Sequence, residues 1–192
     1  MNKLEIAPNM LYRAAKSYIE AQDDFDYIQA IILAGSAMYI CEPLLEEQGR
    51  PTQARERADR IIKLREACVK MDNNKLKITW DAKLLTERNK EHIRCVSRVE
   101  DRKVYNALKH SGIFRFDKKT KTRYTEKKAS DDLEMIDILG ENLDFRTAAE
   151  DIIIDAIQDY KNLDFNGKFK PYNLGIEIRR VLDCIFLEDA FG

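Results

Sequence analysis

At 192 residues the chain is the size of one ordinary domain and can bury roughly 70% of the surface its unfolded form exposes. Its 44% hydrophobic and 35% charged content supplies a core and a heavily charged exterior, and with only 7 Gly and 4 Pro it argues against a turn-rich β fold. A formal charge of −1 excludes a polycation, so any nucleic-acid surface must be a local patch.

The N-terminal stretch MNKLEIAPNM lacks the apolar core of a signal peptide. The longest apolar run, 28–41, is interrupted by Gln29 and Ser36 and reads as too short to span a bilayer. Cys41, Cys68, Cys95 and Cys184 are widely spaced, show no CxxC pattern and sit inside apolar helical patterns. Their even number is compatible with disulfides, but buried free thiols in a reducing cytosol are the expected state. The expectation is a soluble, cytoplasmic chain without a membrane partner.

In chain order, residues 10–22 place Leu11, Ala14, Ala15, Tyr18 and Ile19 on one side of a helix that follows Pro8. Asp23 or Asp24 then caps the most hydrophobic element, 25–48, which is apolar all round between Tyr27 and Cys41 and so reads as central. Within it, Ala34, Gly35, Ser36 and Ala37 form a small-residue patch where another helix approaches closely. Pro43 predicts a kink, and Gly49 ends the element. Residues 52–71 read as a third helix facing Ala54, Ala58, Ile61, Ile62, Leu64, Ala67 and Cys68 inward, with arginines and acids interleaved outside.

After a turn at Asp72-Asn73-Asn74 and a short connector, Asp81 can cap a long helix over 81–111 that holds both histidines. Without Pro or Gly, that span allows one helix of roughly 45 Å. Gly112 stops it. Phe114 and Phe116 then alternate before a basic tip, reading as a β-hairpin insertion with its turn near 117–120. A short apolar stretch precedes Gly140, Thr147 and Glu150 have the spacing of a capping box for the next helix, and a final helix follows Pro171. The expected fold is therefore an all-α helical bundle of about five to six helices, with one long central helix and a short β-hairpin insertion, in a single domain over 1–192.

No Gly-rich phosphate loop, HExxH motif, paired ExxH motif or nucleophile elbow occurs, so no cofactor or metal is indicated. The histidines remain. His92 and His110 lie about five helical turns apart and would share one side of a continuous helix, with Val96, Val99, Lys103 and Asn106 between them. His92 reads as a partly buried structural residue. His110 reads either as a histidine favourably placed at a helix C-terminus or as a functional group.

The segments AIILAGSAMYICEPLLEEQG, YNALKH and AAEDIIIDAIQDYKNL resemble helices of a bacterial group of HEPN-type proteins. These segments hold 42 of the 192 residues. The resemblance implies a small helical bundle, often dimeric, related to metal-independent ribonucleases that use an Arg, an adjacent polar residue and a His a few residues on. Asn106 matches the polar position and His110 the histidine, whereas Tyr105 stands where the Arg belongs. Histidine suits proton transfer and an arginine fork suits the phosphorane charge. Tyrosine, neutral at pH 7, supplies at most one hydrogen bond in its place, and losing such a group commonly slows a reaction by a factor of about 10² to 10³.

On this resemblance His110, Asn106 and Arg102 form the candidate catalytic set, with Arg102, Lys109 or an arginine of a dimer partner standing in for the missing arginine. Lys103, Lys109, Arg115, Lys118, Lys119, Lys121 and Arg123 are the candidate RNA contacts. The expected partners are a second copy of the chain, RNA or a nucleotide, and a protein. Two readings stay open: a HEPN-like domain associated with RNA or nucleotides and weak or inactive as a ribonuclease, or a non-enzymatic structural or protein-interaction module.

Overall fold

The first helix starts before its proline. In the computed structural model, which describes residues 2–66, 68–72, 75–79, 85–109, 114–117, 122–125, 144–165, 174–184 and 186–191, helix α1 spans Lys3–Ile19. Asn2 and Glu5 form a reciprocal capping box at its start, each side chain accepting from the other's backbone N–H at 3.0 Å. Pro8 therefore lies inside the helix and has no N–H for the Leu4 carbonyl. The Tyr160 hydroxyl donates to that carbonyl at 3.0 Å from the far end of the chain. This long-range bond is the physical reason the helix begins about two turns earlier than the proline suggests.

Helix α2, Asp24–Glu47, is capped by Asp23, whose carboxylate accepts from Phe25 and Asp26. It ends at Gly49, which adopts a φ of 67° that other residues resist. The Gly49 and Arg50 amides return to Glu46 and Leu45, closing the end of the helix. Beyond it the Gln48 side chain exchanges two hydrogen bonds with the Asp164 backbone, both at 2.8 Å. At 24 residues, α2 is by length and composition alone long and apolar enough to cross a membrane, a test that a buried core helix also passes. Here Ala30, Ile31, Ala34, Ala37, Met38 and Cys41 are buried against neighbouring helices.

Helix α3, Gln53–Glu66, buries Ala54, Ala58 and Ile62. The expected helical run to 71 is not continued. Instead Cys68–Asp72 pairs antiparallel with Lys75–Thr79, and Phe114–Asp117 pairs likewise with Thr122–Thr125. For these strands only the backbone pairing is described. Both short ladders lie in connections between helices, and the architecture is an all-α bundle.

The long helix is not continuous either. Thr86 caps α4, Glu87–Asp101, while Asp81 lies outside the described residues. The chain breaks at Arg102, with φ −112° and ψ 8°, before α5, Lys103–Lys109. The core runs through α2 instead of through this pair, and α4 has no buried residue at all.

Helix α6, Phe145–Asn162, is capped by Asp144, which accepts from the Arg146 amide at 3.0 Å and the Thr147 hydroxyl at 2.6 Å. The box expected at Thr147 and Glu150 does not form, because the helix starts at Phe145 and Thr147 already lies inside it, while Glu150 accepts from Tyr18 at 3.1 Å. Helix α7, Ile176–Asp183, and a 3-10 turn, Leu187–Ala190, complete seven α-helices among the described residues. The main core joins α1, α2 and α6, with Tyr105 of α5 and Val181 and Leu182 of α7 added at its edges.

Candidate functional site

Helix α5 lies on the small-residue patch of α2. The Tyr105 ring sits so close to Gly35 that a β-carbon there would overlap it, and its hydroxyl is 3.4 Å from the Ser36 hydroxyl. Tyr105 is buried, so the position where the resemblance places an arginine is filled by a packing residue that faces away from solvent. A small residue on α2 and a large ring on α5 are complementary parts of one contact.

Arg102, at the break, is 4% exposed. One amino nitrogen donates to Glu42 Oε2 at 2.8 Å, and its carbon centre lies 4.9 Å from the Tyr39 ring centroid. Burial alone disfavours the charge, yet the bond and attraction of Glu42 outweigh it, and the pKa stays raised. Its Nε and remaining amino nitrogen have no hydrogen-bond partner among the described residues. This geometry corrects the role expected for Arg102: a guanidinium committed to Glu42 and enclosed by α2 is held back from a phosphate at the surface.

Other expected residues do converge. The Tyr39 hydroxyl donates to Asn106 Oδ1 at 3.2 Å, and Lys109 Nζ lies 4.7 Å from the centroid of the same ring. Tyr39 is 40% exposed and also packs on Tyr105, with ring centroids 5.4 Å apart. Lys103 is exposed and, among the described residues, pairs only with Glu100, at 4.0 Å. His110, Lys118, Lys119 and Lys121 lie outside the described residues, and Arg115 and Arg123 are described only by backbone pairing. Sequence reading singled out Asn106 and Lys109 but missed Tyr39 and Glu42, the two α2 residues that hold the cluster together. Their one-turn spacing, at the end of the stretch from Tyr27 to Cys41 read as apolar all round, was the available signal.

A second surface belongs to α3 and α4. Arg57 spans three helices, donating to both oxygens of Asp155 at 2.6 and 2.5 Å and pairing with Asp101 at 2.9 Å. The Asp155 bonds lead the forces that raise its pKa against the effect of burial. Outward from this clasp runs a groove of about 390 Å³, floored by Ile61, Ile93 and Val96. His92 lines it and is exposed, which corrects the expectation of a partly buried histidine. Beside it, α4 is held to α3 through Arg94 to Asp59 at 2.9 Å and Ser97 to the Ala54 carbonyl at 3.2 Å. Val96 and Val99 are 44% and 55% exposed, and Leu64 is 72% exposed.

A larger cleft of about 700 Å³ lies between the end of α2, α3 and α4. Four arginines line it, but Glu42, Glu46, Asp59 and Glu91 balance them. Among the described residues, no group of three or more His, Cys, Asp or Glu could hold a metal ion. Cys41, Cys95 and Cys184 are free thiols, and Cys95 is exposed where a buried thiol was expected.

No family model, curated protein or solved structure matches this chain. Its reading rests on its own geometry.

Proposed function

We propose that the chain is a non-enzymatic helical interaction module, cytoplasmic and free of membranes, with the exposed face of α3 and α4 as its working surface. One observation carries this reading. An amphipathic helix, α4, leaves Val96 and Val99 in solvent beside the apolar groove, while Arg102 of the suspected catalytic set is enclosed and paired with Glu42. The test is purified protein beside its His110→Ala variant on bulk RNA. Equal, background-level cleavage is expected, and cleavage by the parent chain that the variant lacks would overturn the reading.

A HEPN-like, RNA-associated domain is the second reading. It is favoured by Asn106 and Lys109 meeting at the half-exposed Tyr39, with Lys103 nearby and the basic residues of the expected hairpin at 115–128 following in sequence. An aromatic ring beside a mobile ammonium suits an unstacked base and its phosphate. If this reading holds, Lys109→Glu weakens binding of a single-stranded RNA by about tenfold in fluorescence anisotropy and lowers its salt dependence. Absence of binding by the parent chain at low salt excludes it.

A further inference from the structure

The α3–α4 groove is bipolar. Arg65 and His92 line one end, Glu100 and Asp101 the other, and Ile61, Ile93 and Val96 lie between them. Along α4 the two ends are eight residues apart, about 12 Å at the helical rise. Asp101 is occupied by Arg57 within the chain. Exposed Arg65 has no ion pair among the described residues, and Glu100 has only the 4.0 Å approach of Lys103. The free charges are thus one cation at one end and one carboxylate at the other.

A surface of this kind complements itself. A two-fold axis through the apolar middle, perpendicular to the groove, exchanges the two ends and sets Arg65 of one copy opposite Glu100 of the other, twice. The same operation brings Val96 against the apolar floor of the second copy. The 14-residue α3 and 15-residue α4 form a helical pair with one unpartnered side, and two such pairs face to face make a four-helix bundle. We propose that the occupant of this groove is a second copy of the chain, docked in this two-fold arrangement. The inference rests on the interaction-module reading and names the partner of that same face.

The test is sedimentation equilibrium of the full chain, with Arg65→Glu, Glu100→Arg and the double variant, each checked for helicity by circular dichroism. The parent chain is expected to dimerise. Each single variant opposes like charges twice and weakens the dimer about tenfold, whereas the double variant restores the pair and returns to within about threefold of the parent. Because these residues sit at opposite ends of one chain's groove, rescue by the double variant reports contact between copies. A parent chain that stays monomeric at about 100 µM, well above ordinary dimer affinities, overturns the proposal. So does a double variant no better than either single one. RNA cleavage by a chain that passes this test would remove the non-enzymatic reading and leave the dimer standing.

Discussion

The Arg102 guanidinium donates to Glu42 at 2.8 Å, tying the break between α4 and α5 to the second half of α2. Both side chains are largely enclosed, at 5% and 13% exposure. Removing one partner of such a pair strands the other charge, whereas replacing both is far less costly. Glu42→Gln is therefore expected to destabilise the chain by about 3 kcal/mol in urea denaturation. The double variant Glu42→Gln with Arg102→Met should recover more than half of that loss. A single-variant loss below about 1 kcal/mol would mean that solvent reaches the pair.

Gly35 and Tyr105 form a size-matched contact. Gly35→Ala forces a methyl group into the ring, and overpacking of this kind costs about 1–3 kcal/mol. Tyr105→Ala on its own opens a cavity at a cost of roughly 3–5 kcal/mol. In that background Gly35→Ala should add no further loss. Thermal melts of the four chains give the coupling directly, and additive losses would show that the two residues do not share the contact.

Asp159 is fully buried on α6, and burial raises its pKa to about 7, while the Gln53 amide it accepts at 2.7 Å pulls the other way. Its second oxygen has no hydrogen-bond partner among the described residues. In the unfolded chain an aspartate titrates near 4, so between about 4 and about 7 the folded state binds the extra proton. Its contribution to stability is complete below about 4 and is lost as pH rises through about 7. Asp159→Asn keeps an acceptor for Gln53 and should flatten this slope, a change on the order of a few kcal/mol at pH 8. Unfolding free energies at several pH values measure it, and an unchanged slope would locate the pH dependence elsewhere.

The thiols should separate by reactivity. Burial pushes the Cys41 thiol up to about 12, helped by the nearby charge of Asp159, whereas Cys95 stands exposed on α4. Because the thiolate is the reactive form, iodoacetamide at pH 8 should label Cys95 at least tenfold faster than Cys41. Denaturant should remove the difference. Peptide mapping over time reads both rates, and early labelling of Cys41 would show that α2 opens readily.

The parts of the fold legible in the sequence were those set by local pattern. The all-round apolar character of α2 marked it as central, Asp23 and Gly49 marked its ends, and the small-residue patch marked where another helix would lie close. What could not be read depended on distant partners. Nothing near Pro8 indicates that Tyr160 will serve the Leu4 carbonyl. The break at Arg102 is likewise unmarked by any Gly or Pro, and the residue pairs with Glu42, 60 residues away. At the candidate site the sequence brought forward Asn106 and Lys109, but the histidine stripe assumed one continuous helix, whereas the helix that holds His92 ends at Asp101 and His110 lies outside the described residues.

Two consecutive residues of α6 each finish another helix: Asp159 accepts from the first amide of α3, and Tyr160 donates to the carbonyl left open by Pro8 in α1. During synthesis both helices therefore emerge with a polar group that water must serve, and α6 is made long after them. One late segment then seals both ends in a single docking step. Early and late halves of the chain are thus joined, and a nascent chain stopped before residue 159 lacks the partners of both groups.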